Sequence, residues 1–194
     1  MLLEELSGLQ WKCNSCEEWH TGPCLDVSYE SPFYWSKEHE EAGRREALIT
    51  GFSQDHRSGT FLNEDYCAID DKDFFVRGII QLPIIGTLES FRWGVWGSVS
   101  RENFETLLRT HDDPKRVELP AMFSWLSTQI PQYADTLNLK MYAHIQNPAW
   151  RPFFELELTR HRLSQEYHEG ITPQRVKDLM SECLREPRWN KDAP

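Results

Sequence analysis

The chain has no apolar run long enough to cross a bilayer, and its start, Met1-Leu2-Leu3-Glu4-Glu5-Leu6, lacks the basic and apolar regions of a secretory leader. Both absences predict a cytoplasmic protein without a membrane partner. Positive charge is also scarce: 21 basic residues face 31 acidic ones, a formal net charge of −10, which repels phosphate backbones and leaves nucleic acid out of the expected partners. There is no glycine-rich phosphate loop, no GxSxG nucleophile elbow and no HExxH metal motif. Internal repeats and low-complexity tracts are absent as well. Cysteine is sparse and odd in number, five in 194 residues, so reduced thiols in a reducing compartment are expected rather than a disulfide framework.

What is abundant is aromatic. Eight tryptophans and ten phenylalanines, within a 39% hydrophobic composition, predict one packed domain over residues 1–194 rather than a disordered chain. The cysteines are unevenly placed: Cys13-Asn14-Ser15-Cys16 is followed by His20 and Cys24. Two thiolates separated by two residues form a knuckle that grips zinc, and a histidine a few positions on reaches the same ion. The amino-terminal segment, residues 1–30, therefore reads as a zinc-knuckle-like unit packed on the domain. No second knuckle exists, so a fourth ligand comes either locally from Cys24 or from Cys67 if its strand lies beside the knuckle. Cys183 falls on the apolar stripe of the last helix and reads as core.

The remaining pattern is α+β, a mainly antiparallel sheet with helices on one face. Ser36 caps a helix with Glu38, Glu40 and Glu41 in its first turns, and the polar stretch 51–62 reads as a surface loop. Cys67-Ala68-Ile69, a turn through Asp70 to Asp73, and Phe74 to Leu82 read as a hairpin ended at Pro83. In the following strand Phe91, Trp93, Val95 and Val99 point to the core while Arg92, Trp96 and Ser98 point to the second face. Ser100 caps a helix carrying Phe104, Leu107 and Leu108, stopped by Asp112-Asp113-Pro114. Strands follow at residues 139–145 and 153–159, the second with Phe154, Leu156 and Leu158 inward and Glu155 and Glu157 outward. Thr172-Pro173 opens a last helix striped with Val176, Leu179, Met180, Cys183 and Leu184.

Several of these runs together, Cys13-x-x-Cys16-x-x-x-His20-x-Gly22, Asp65-Tyr66-Cys67-Ala68-Ile69-Asp70, Phe74-Phe75-Val76-Arg77-Gly78, Trp93-Gly94-Val95-Trp96, Asp135-Thr136-Leu137-Asn138-Leu139-Lys140 and Thr159-x-His161-x-Leu163, resemble the bacterial family called domain of unknown function 2199. The resemblance runs from about Cys13 to about Ile171 and implies no established activity. Cys24 departs from the family's pattern, and the stretch from Thr50 to Leu62 reads as an insertion. The first departure promotes Cys67, giving Cys13, Cys16, His20 and Cys67 as the expected metal ligands.

A closed site of four protein ligands stabilises the fold and leaves no position for water, whereas three ligands, Cys13, Cys16 and His20, leave one open for a hydrolase. A second set of candidates is His161, Glu166 and Arg77. His161 reads as a hydrogen-bonding corner residue. Arg77, on an apolar strand, is expected to pair with Asp70 or Glu157, with anion binding as the alternative. The glycines around Trp93 and Trp96 read as close sheet packing, with a ligand pocket as the alternative. The expected function is a non-enzymatic, zinc-stabilised acidic module that binds a basic protein surface, as an inhibitor or immunity-like factor, with a metal-dependent hydrolase as the alternative.

Overall fold

A computed structural model describes residues 8–12, 18–50, 59–183 and 185–188. In chain order the elements are β1 (Gln10–Lys12), β2 (Trp19–Thr21), β3 (Asp26–Ser28), α1 (Lys37–Thr50), β4 (Phe61–Leu62), β5 (Tyr66–Ile69), β6 (Asp73–Pro83) and β7 (Ser90–Val99). They continue with α2 (Arg101–Arg109), a 3₁₀ turn (Pro114–Glu118), β8 (Met122–Leu126), β9 (Lys140–His144), β10 (Phe153–Leu156), α3 (Arg162–Glu169), α4 (Pro173–Cys183) and β11 (Arg185–Arg188). Most of the expected boundary signals operate as read. The Ser100 hydroxyl accepts from the Asn103 amide at 3.2 Å and opens α2; Thr172 does the same for Arg175 at 3.2 Å ahead of α4. Between β5 and β6, Asp70 and Asp71 adopt φ values of 53° and 52°, and the Lys72 amide closes the turn onto the Ile69 carbonyl at 3.0 Å. Two left-handed residues twist a hairpin in the direction its strands already twist, and aspartate tolerates that region better than most side chains.

The sheet is mainly antiparallel, as expected, but it also closes on itself. Strands β6, β7, β8, β9 and β10 pair in succession, and β10 pairs back onto β6, closing a five-stranded barrel. Parity dictates the closing geometry: four antiparallel steps leave β10 running in the direction of β6, so the last pair is parallel. That seam is short, with Phe153 opposite Ile79 and the Ile79 amide donating to the Pro152 carbonyl at 2.9 Å. Outside the barrel, β3 runs parallel along β7, and β5 and β4 extend from β6. A separate small sheet pairs β1 with β2, with β11 along β1.

Glycine makes the closure possible. A methyl group placed at Gly78 would lie 2.5 Å from the Phe154 ring and 2.8 Å from the Pro152 carbonyl, and one at Gly97 would collide with Ser124, Met141 and the same ring. Phe154, fully buried, thus fills the lumen between two positions without side chains. Gly94 similarly lets β3 approach, since a methyl there would meet the Ser28 Cβ at 2.7 Å. These glycines therefore serve close packing, as expected.

Phe91, Trp93, Val95 and Val99 join the main core with Phe104 and Leu107 of α2, Leu163 of α3 and Val176, Leu179 and Met180 of α4. Trp96 turns to the other face, as its register predicts, and forms a second cluster with Cys67, Ile69 and Phe75. Its indole N–H donates to the Tyr29 carbonyl at 3.0 Å. Two side-chain expectations fail. Leu158 lies beyond the end of β10 and is 67% exposed, because the strand stops at Leu156. Cys183, at the last turn of α4, is half-buried at the edge of the core. Leu184 and residues 51–58 lie outside the described residues.

Candidate functional site

The expected metal ligands divide between described and undescribed parts of the chain. Cys13 and Cys16 lie outside the described residues. His20 is exposed on β2, its ring stacked on Trp11 at 4.8 Å. Cys24 is half-buried, with its thiol donating to the Asp26 carbonyl at 3.2 Å. Cys67 is fully enclosed in the cluster with Ile69, Phe75 and Trp96, and burial raises its thiol pKa well above the ordinary range. Cys183 is pushed up to about 12, by burial first and then by Glu182 and Cys24. Among the described residues, no group of three or more His, Cys, Asp or Glu is placed to hold a metal ion.

The second set separates as well. His161 caps α3: Nδ1 accepts from the Leu163 amide at 3.1 Å while Nε2 meets the Ala134 carbonyl. It fixes the corner after β10, as expected. Glu166 pairs with Arg162 at 2.8 Å and with Arg175 at 3.0 Å and accepts from the Tyr133 hydroxyl, tying α3, α4 and the β8–β9 connection together. Burial and then the bond to Glu166 raise the Tyr133 pKa. Arg77 pairs with neither Asp70 nor Glu157. Its Nη1 reaches the Glu64 carbonyl at 3.4 Å, because β6 passes it toward the gap between β5 and β10 rather than toward either carboxylate.

The most conspicuous surface lies on the outside of the barrel. On β8 the burial alternates, with Met122, Ser124 and Leu126 inside and Phe123 and Trp125 outside. Phe123 is opposite Tyr142 of β9, and His144 of β9 is opposite Phe153 of β10. The exposed rings form two groups: Phe123 meets Trp125 edge-on at 5.0 Å and Tyr142 at 5.9 Å, and His144 stacks on Phe153 at 4.5 Å. Phe123, Trp125, Tyr142 and Phe153 each remain 37–43% exposed. Acidic residues edge the patch, Glu155 paired with His144 at 2.7 Å and Glu157 near Lys140 at 3.8 Å.

The sequence reading missed β8 and with it this face. The strand's polarity is inverted, with a serine inside and aromatics outside, so a search for inward aromatics passes over it. The findable signal was register: Phe123 and Trp125 alternate with smaller residues, as does Tyr142 between Met141 and Ala143.

A small, mixed barrel flanked by helices, with an aromatic outer face, defines an α+β protein. The chain belongs to the DUF2199 family, described as an uncharacterized protein conserved in bacteria, whose family model matches residues 12–171. No curated protein and no solved structure matches it. Among the described residues no helix is long and apolar enough to cross a membrane.

Proposed function

We propose that the chain is a non-enzymatic, acidic protein-binding module of the bacterial cytoplasm, stapled by zinc near its amino terminus and acting as an inhibitor or immunity-like factor. The observation that carries the reading is the exposed, packed set of Phe123, Trp125 and Tyr142 on β8 and β9, with exposed Phe153 stacked on His144 on the next strand. Rigid aromatic anchors supply most of the energy of protein interfaces, because they bury large areas at little conformational cost. A partner with an apolar centre and a basic rim fits them, since Glu155 and Glu157 border the patch and the whole chain carries −10. Stacking of single-stranded bases is the other use of exposed rings on a barrel, but it needs a basic groove, and here Lys140 is met by Glu157.

The zinc staple rests on the spacing of Cys13, Cys16 and His20. Cys67 or Cys24 completes it, and single serine substitutions separate them: the variant that loses metal has lost the fourth ligand. The binding face is tested with Phe123→Thr, Trp125→Thr and Tyr142→Thr combined, since threonine keeps the strand preference while removing the rings. Loss of partner binding with an unchanged fold supports the reading; retained binding refutes it.

A further inference from the structure

Along one edge of β6 the neighbour changes. Residues Asp73 to Val76 pair with β5, Ile79 pairs with β10, and Arg77 lies at the changeover. The two flanking strands do not meet, and the notch between them is a cleft of about 310 Å³. We infer that this cleft is a binding site for a small phosphate monoester, with the phosphate on Arg77, Arg116 and Arg151 and the ligand's flat or apolar body against Trp150.

Three guanidiniums line the notch against one lining carboxylate, Asp65, which meets Arg151 at 2.7 Å. Other acids lie near without entering an ion pair there: Glu30 and Glu64 act on Arg77, and Asp112 acts on Tyr66. Arg116 is the decisive member. It is only 4% exposed, forms no ion pair among the described residues, and spends nitrogens on the His111 carbonyl at 2.8 Å and on the Tyr66 hydroxyl. Its Nε is buried without a partner, as is the Nε of Arg77. Two unpartnered guanidinium donors in one cleft are costly unless something supplies acceptors, and an oxyanion takes such donors in pairs. Burial first and then the neighbouring Arg151 charge work against the charge on Arg77, a strain that a dianion relieves. His111 adds a ring at 3.0 Å from the Tyr66 hydroxyl, on the wall where Arg116 sits.

The remaining wall is apolar. Pro148, Ala149 and Pro152 carry the loop into β10, and Trp150, 63% exposed, stands on it. The cavity is larger than a bare phosphate needs and lies at the small end of ordinary ligand sites. An aromatic or aliphatic phosphate therefore suits the cleft better than inorganic phosphate.

The test is calorimetric titration of the full chain with phenyl phosphate, inorganic phosphate and benzoate. Expected is saturable binding of phenyl phosphate, tighter than inorganic phosphate, with benzoate weaker than either. Arg77→Gln and Arg151→Gln, at partly exposed positions whose replacement spares the fold, each weaken it roughly tenfold or more, the worth of a charge-assisted contact. Trp150→Ala brings phenyl phosphate down to the level of inorganic phosphate. Arg101→Gln, an exposed arginine paired with Asp71 outside the cleft, leaves binding unchanged. No saturable binding of phenyl phosphate, benzoate binding as tightly, or an equal loss in Arg101→Gln overturns the assignment. Melting curves of every variant establish that a lost signal is not an unfolded protein.

Discussion

Replacing Gly78 with alanine is the most direct mechanical challenge to the barrel. The added methyl would sit 2.5 Å from Phe154 Cε2 and 2.8 Å from the Pro152 carbonyl oxygen, whereas carbon atoms rest about 3.5–4.0 Å apart. Roughly 1 Å of relief is therefore needed. The Phe154 ring has little room to retreat, because its tip also fills the space over Gly97 and the side chain is fully buried. The Pro152 contact is with backbone, the carbonyl that accepts the Ile79 amide at the β10–β6 seam. Overpacking with so little freedom belongs at the upper end of its usual cost, about 3 kcal/mol. Shortening the ring removes one of the two collisions, so Phe154→Leu, costing about 1.5 kcal/mol alone, should partly rescue Gly78→Ala. The double variant is expected to fall short of the summed losses by about 1 kcal/mol or more, the coupling typical of residues in contact. Urea unfolding followed by tryptophan fluorescence measures all three. A Gly78→Ala loss below about 0.5 kcal/mol, or losses that simply add, would refute the closed-lumen reasoning.

Other outcomes follow from the same structure. If zinc staples the amino-terminal segment, Cys13→Ser and chelation of the wild type should each lower the melting temperature, with one zinc per chain found by metal analysis; unchanged melting in both removes the staple. Because burial and the Glu166 contact raise the Tyr133 pKa, the folded state holds that proton longer than the unfolded chain does. Its contribution is complete below about pH 10 and fades as pH rises further, so Tyr133→Phe should flatten the alkaline decline of the melting temperature; an identical slope in both proteins contradicts the assignment. The N-cap at Ser100, bonded to the Asn103 amide, should cost about 1 kcal/mol on substitution with alanine, read as a shifted urea midpoint, and no shift would show that the cap is replaceable.

Local chemistry made much of the architecture readable. Ser100 and Thr172 bond the amides they were placed to bond, and the alternation from Phe91 to Val99 divides the two cores correctly, Trp96 included. These are short-range facts, carried by neighbours in sequence. Barrel closure is not of that kind: it depends on Gly78 and Gly97 facing the same ring from two strands, a coincidence invisible along the chain. The surfaces proposed to carry function escaped for related reasons. On β8 the aromatics point outward and a serine points in, reversing the polarity that strand recognition relies on. Arg77 was singled out by its apolar surroundings, but its companions Arg116 and Arg151 are 39 and 74 residues further along and meet it only through the fold. The knuckle is the opposite case, clear in sequence, with Cys13 and Cys16 outside the described residues.

The claim that the barrel's outer aromatic face is the working surface is tested most directly by affinity capture from the bacterial source, using the wild type and the Phe123→Thr/Trp125→Thr/Tyr142→Thr variant as paired baits, followed by titration of the purified captured protein. The account predicts a basic partner that binds the wild type, weakens with added salt, and loses at least about a hundredfold in affinity for the variant, as expected when clustered aromatic anchors are removed. Equal affinity for both baits, with both folded, would contradict it.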